Sequence, residues 1–210
     1  MIALLDYGAG NLTSVRKALS ALGAAFETPS SPAALAAVHG IIVPGVGHFA
    51  ATAALAEPWR AAILERVDRG VPLLGICLGM QWLFEGSDEA PELPGLGLLP
   101  GRVRRLAPSP DEAGRPVKVP HVGWNGLEAR GPSRLLDGVE PGAQVYFTHS
   151  YAAPVGAGCV AVTTHAAPFA AAVERRAVFG VQFHPEKSSD AGLRILRNFH
   201  DAVEANHRLP

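Results

Sequence analysis

Cysteine is nearly absent: of 210 residues only Cys77 and Cys159 carry a thiol. Two cysteines build neither a disulfide framework nor a ready metal site, which points to a reduced, cytoplasmic setting. An excess of either charge is missing too. Eighteen Lys and Arg face nineteen Asp and Glu, a formal net charge of −1, so no broad nucleic-acid or membrane-binding face is expected. No apolar run approaches the roughly 18 residues that cross a bilayer. The opening Met1-Ile-Ala-Leu-Leu-Asp6 lacks the basic start of a signal peptide and reaches an acid at once. Neither a Gly-Lys-Ser/Thr phosphate loop nor a Gly-x-Ser-x-Gly turn occurs, which removes P-loop nucleotide chemistry and the serine-hydrolase elbow.

What the chain does have is apolar material: 48% of residues are hydrophobic. A chain of this length buries roughly 70% of its unfolded surface and needs no covalent staple. It reads as a single domain over residues 1–210. Short apolar runs at 1–6, 24–28, 40–43 and 71–76 alternate with helical patterns at 12–22, 32–37 and 52–69. That alternation predicts an α/β fold: an open, mostly parallel twisted sheet flanked by helices. Gly8 and Gly10 mark a tight turn, with Asn11 as N-cap of the first helix. Residues 86–120 are rich in glycine and proline and carry few periodic segments. Strand-like runs at 144–148, 160–164, 170–174 and 178–183 then predict an antiparallel extension or meander beside the parallel core. A last amphipathic helix over about 191–205 sets Leu193, Leu196 and Phe199 on one face.

The sharpest local signal is Gly75-Ile-Cys77-Leu-Gly79, which ends an apolar strand and runs directly into a helical segment, Met80–Glu85. This is a nucleophile elbow with sulfur in place of oxygen, its glycines tolerating the crowding beside the reactive residue. It sets Cys77 at the carboxyl edge of the sheet, where open α/β folds keep their ligands. The positive end of the following helix favours a thiolate there. A small buried core cysteine is the competing reading, and it is the preferred one for Cys159, which lies in a plain apolar run. A cysteine nucleophile needs a base, and the base an orienting group. His184-Pro185-Glu186 supplies both, since side chains two apart in an extended chain share a face. His39, His48, His121, His165, His200 and His207 lack such a partner and read as surface or core. Pro44-Gly45-Val46-Gly47 follows a strand and can offer backbone N–H groups to an oxyanion, together with the N–H of Leu78. An ordinary strand-ending turn fits that loop equally well in isolation. Gly8-Ala-Gly10 with Glu27 has the start of a dinucleotide fingerprint, but Thr13 stands where the third glycine belongs. No cofactor is therefore expected.

Cysteine elbow, glycine loop and distal His-x-Glu together resemble the triad glutaminases, the class I glutamine amidotransferases, which free ammonia from glutamine through a γ-glutamyl thioester. Asp6–Asn11, Pro44–Phe49, Gly75–Gln81, Pro120–Asn125, Tyr146–Tyr151 and His184–Ser188 are together similar to the glutaminase-subunit family of imidazole glycerol phosphate synthases, from residue 1 to about 200. The stretches at 120–125 and 146–151 are the specific ones; the elbow alone fits any sister glutaminase. The resemblance implies Cys77 as nucleophile, His184 as base and acid, and Glu186 as orienter. It implies Val46, Gly47 and Leu78 at the oxyanion hole, and Gly45, Gln81, His149, Ser150 and Tyr151 on the substrate glutamine. It also implies a heterodimer with a barrel-type cyclase that receives the ammonia, with no metal and no cofactor. Three alternatives stay open: a triad glutaminase of another synthase (anthranilate or guanylate), a stand-alone γ-glutamyl hydrolase, and an interaction module whose triad is silent.

Overall fold

A computed structural model describes residues 1–108, 110, 114 and 117–208. In chain order the first half contains β1 (Ile2–Leu4), α1 (Leu12–Ala21), β2 (Phe26–Glu27), β3 (Gly40–Val43), α2 (Trp59–Asp68), β4 (Leu73–Ile76) and α3 (Leu78–Trp82). The second half contains β5 (Gly86–Ser87), β6 (Ala90–Pro94), β7 (Arg102–Arg105), β8 (His121–Gly126), β9 (Glu128–Ala129), β10 (Gln144–His149), β11 (Tyr151–Ala152), β12 (Cys159–His165), β13 (Ala167–Arg175), β14 (Val178–Val181) and α4 (Ser189–His207).

Strands β1, β3, β4 and β14 are buried at every position, as strands covered by helices on both faces must be. They lie in a sheet of order β2-β1-β3-β4-β14-β13-β12-β9, whose first five strands run parallel and whose last three turn antiparallel. Alternate side chains divide the core. Ile2, Leu4, Ile42 and Leu74 pack with α1 and α4 on one face; Ala3, Leu5, Ile41 and Leu73 pack with α2 and α3 on the other. The expected α/β sheet with its antiparallel extension is present.

Several expected elements differ. Val178–Val181 is not part of the antiparallel meander alone: it inserts beside β4 as the fifth parallel strand. Residues 144–148 leave the main sheet and pair with β8 in a separate two-stranded ribbon. The stretch 86–120 is less bare than its composition suggests, since β5, β6 and β7 form a four-stranded sheet with β11; its residues 109, 111–113, 115 and 116 lie outside the described ones. The helix expected over 52–69 is two pieces, a 3-10 helix over Phe49–Leu55 and α2 from Trp59. Pro58 between them offers no N–H and its ring blocks a continuous helix. In α4 the buried stripe is Ile195, Leu196, Phe199 and Val203, while Leu193 is 36% exposed on the other side. Asn11 does cap α1, its Oδ1 accepting from Ser14 N at 3.4 Å.

Candidate active site

Cys77 stands in the link between β4 and α3 with φ 52° and ψ −106°, a left-handed backbone that side chains rarely adopt. The flanking glycines serve close approach instead. A Cβ on Gly79 would run into the Val43 carbonyl, and one on Gly75 into the backbone of Gly79 and Met80. The strain is therefore concentrated on the cysteine, where strained backbone marks functional sites. Its amide donates to Val181 O at 2.7 Å, tying the elbow to the end of β14.

The same strand end delivers the base. His184 follows β14, and its Nδ1 lies 2.8 Å from Glu186 Oε1, both side chains only 2% exposed. The pair does not meet along an extended chain as the spacing suggested. Pro185–Lys187 is a single 3-10 turn, and that turn folds the carboxylate back onto the ring. Burial alone would lower the His184 pKa; the neighbouring Cys77 sulfur and Glu186 more than reverse it, to about 9. His184 Nε2 itself is buried without an aligned hydrogen-bond partner, the free nitrogen a proton shuttle needs.

The glycine loop leaves the end of β3. Tyr7 Oη donates to Pro44 O at 2.7 Å and pins its first residue, and burial followed by the Cys77 charge raises the Tyr7 pKa. Gly47 has φ 95° and open space around it. The Leu78 amide, an expected oxyanion donor, donates to Gly45 O at 3.3 Å. In this arrangement that amide is occupied by the loop's own carbonyl.

A cavity of about 330 Å³ opens above the sulfur, lined among others by Val46, Gly47, Cys77, Leu78, Gln81, His149, Ser150 and Tyr151. Gly45, His184 and Glu186 are the expected site residues outside that lining; Gly45 sits behind the wall, packed on Tyr7 and Leu78. Three polar residues here have no counterpart among the expected ones: Glu89, Thr148 and Gln182. Glu89 reaches the cavity from the β5–β6 turn, its Oε2 accepting from Phe49 N at 2.8 Å. Gln182 is fully buried, accepts from Gln81 Nε2 at 3.1 Å and donates to Cys77 Sγ at 3.6 Å. Glu89 gives no sequence signal because it lies in an aperiodic stretch. Gln182 is two residues before His184 on the same strand end, and that spacing could have exposed it.

Cys159 belongs elsewhere, in β12 at the antiparallel side, with its thiol bonded to Ala161 O and its pKa raised by burial. Gly10 lies against Pro44 and Gly45 of the glycine loop, whereas Gly8 has open space around it, and Glu27 is exposed on the edge strand β2. Among the described residues no group of three or more His, Cys, Asp or Glu is placed to hold a metal.

A strained cysteine, a carboxylate-held histidine beside it and backbone amides at the rim together can form and hydrolyse a thioester. The chain matches the family model described as glutamine amidotransferase class-I over residues 3–203. It is 46% identical over 202 residues to imidazole glycerol phosphate synthase subunit HisH of Deinococcus radiodurans, covering 94% of this chain and 92% of that protein. The protein of the same name from Desulfitobacterium hafniense strain Y51 is 49% identical over 217 residues, covering 99% and 100%. A solved structure titled glutamine amidotransferase superposes with a TM-score of 0.74 at 24% identity, covering 97% of this chain and 98% of the other. The Trypanosoma brucei CTPS glutaminase domain with bound acivicin superposes at 0.66 and 19% identity, covering 95% and 93%; both likenesses speak for the fold.

Proposed function

The chain belongs to the class I glutamine amidotransferases, and from that premise we propose that it is the glutaminase subunit of an imidazole glycerol phosphate synthase. One amidotransferase domain over residues 1–210 carries the role, in the cytoplasm, in a heterodimer with a barrel-type cyclase. Cys77 thiolate attacks the γ-carboxamide carbon of glutamine, and His184 imidazolium gives its proton to the departing ammonia. A γ-glutamyl thioester remains on Cys77. His184 then takes a proton from water, the hydroxide adds to the thioester, and glutamate leaves as the thiolate returns. Glu186 holds the ring through Nδ1. Gln81, the 149–151 backbone and the Glu89 carboxylate hold the amino-acid end of the substrate, Glu89 meeting the α-ammonium. Ammonia passes to the cyclase, whose products are imidazole glycerol phosphate and an aminoimidazole carboxamide ribotide.

The observation that carries this reading is Cys77, at φ 52° in the wall of one cavity, next to a buried His184–Glu186 contact of 2.8 Å. The occupied Leu78 amide adds regulation. Rotating the Gly45–Val46 peptide would withdraw the carbonyl and present Val46 N–H, completing a two-donor hole; one such donor is worth about 10²- to 10³-fold in rate. The docking face is the outer side of β8, where Val122 and Trp124 are 57% and 52% exposed next to the cavity residue Pro120. The test is steady-state glutamine turnover of the chain alone, with empty cyclase and with ligand-loaded cyclase. Loaded cyclase should raise kcat by at least about 10²-fold. Equal turnover in all three would favour a stand-alone hydrolase, and no imidazole product would favour another synthase.

A further inference from the structure

A continuous row of polar groups joins the outer ribbon to the nucleophile. Asn125 Oδ1 accepts from Gly126 N at 2.8 Å, which fixes the other amide atom as nitrogen; that Nδ2 donates to Thr164 O at 3.0 Å and faces His121 Nε2 at 3.4 Å. His121 Nδ1 lies 3.0 Å from His149 Nε2, and His149 Nδ1 lies 2.9 Å from Tyr151 O. The Tyr151 carbonyl also accepts from Gln81 Nε2 at 2.8 Å. From Gln81 the row continues to Gln182 and then to the Cys77 sulfur.

Donor and acceptor rules give this row one direction. A carbonyl only accepts, so His149 carries its proton on Nδ1 and presents Nε2 as a lone pair. His121 must then donate from Nδ1, which leaves its Nε2 to accept from Asn125. Both rings are buried and packed by aromatic neighbours, His121 stacking on His165 and Phe147. Burial first, then the adjacent histidines, lower the pKa of His121 to about 3; burial likewise lowers His149 to about 4. Both are neutral at pH 7, as the pattern requires.

We propose that His121 is a positioning residue for glutamine hydrolysis: its Nδ1–H locks His149 in the Nδ1–H tautomer, and His149 thereby seats the Tyr151 carbonyl that aims Gln81 and, through Gln182, the Cys77 sulfur. Without that donor His149 is free to take the Nε2–H tautomer and release Tyr151 from the cavity wall. The inference rests on Cys77 being the nucleophile and goes beyond the triad.

Two substitutions at one position separate hydrogen bonding from packing. H121N keeps a donor at the place of Nδ1 and loses the stacked ring; H121F keeps the ring and loses the donor. In the cyclase complex, H121F should lower the glutamine-dependent kcat by about tenfold or more, the scale of one unsatisfied buried polar group. H121N should stay within about threefold of the parent, and product formation from added ammonium should be unchanged in both. Activity in H121F with loss in H121N, or equal behaviour of the two, would overturn the proposal. Should H121F fail to fold, 15N imidazole shifts of the unaltered complex decide: Nδ1–H on both His121 and His149 is expected, and Nε2–H on either one refutes it. An unaltered complex that does not hydrolyse glutamine would instead refute the functional reading, while the 15N shifts would still report the row.

Discussion

On the proposed mechanism the Cys77 sulfur is the atom that becomes covalently bound, so Cys77→Ala should lower glutamine hydrolysis by about three to six orders of magnitude. The complex should still make product from ammonium salts, and Cys159→Ala should change neither activity; steady-state rates with the two nitrogen sources check this. In the proposed roles His184 moves protons whereas Glu186 orients and stabilises, so Glu186→Ala should be milder than His184→Ala, and an equal or reversed ranking of rates would refute those roles. The Glu186 carboxylate is also one of the groups that hold the His184 pKa at about 9. Replacing it with neutral glutamine should therefore move the alkaline limb of the kcat/KM profile to lower pH. The proposed triad has a signal in the sequence because two glycines bracket Cys77 and because His184 and Glu186 are near neighbours. His121 carries no comparable signal, since its partner is another imidazole 28 positions away, with no charge pattern to announce it.

Among the elements, the loop at 44–47 is where the proposed switch would separate rate regulation from binding. Gly45 has no room for a side chain: a Cβ would strike Tyr7 Oη and crowd Leu78, so Gly45→Ala should distort the loop and the fold together. Gly47 has room but sits at φ 95°, so Gly47→Ala restrains the peptide with a backbone cost of about 1–3 kcal/mol. Its cyclase-stimulated kcat should fall by about 10²-fold while the glutamine KM changes little, as measured with loaded cyclase. The parallel strands were legible because strands buried on both faces read as unbroken apolar runs. The ribbon strand β8 was not, since His121, Val122, Gly123 and Trp124 alternate buried and outward positions without a matching apolar–polar alternation. The small sheet of β5, β6, β7 and β11 contains strands of only two to five residues, too short for periodicity to develop.

Across the whole molecule, two buried neutral histidines make acid a specific hazard. With native pKa values of about 3 and 4 against 6.5, His121 and His149 are neutral in both states above pH 6.5. Below it the unfolded chain takes up protons that the native chain refuses, so stability should fall from pH 6.5 towards about 4. Chemical-denaturation midpoints across that range should show the fall, and H121N should flatten it. Docking is likewise a property of the whole surface. Trp124→Ala should weaken the cyclase complex by about tenfold or more, as central aromatic anchors do, read by titration calorimetry. No local pattern foretold that β14 would lie beside β4, because strand order is set by long-range packing. That order has a consequence for the chain as it is being made. The edge of β4 stays unpaired until residues 178–181 emerge and insert between β4 and β13. Until then a nascent chain carries the Cys77 thiol with no histidine beside it, and on the proposed mechanism it cannot consume glutamine. It also presents an apolar open edge that other chains can add to. Chains ending before residue 178 should therefore be inactive and aggregate, while full-length chains become competent in a single late step.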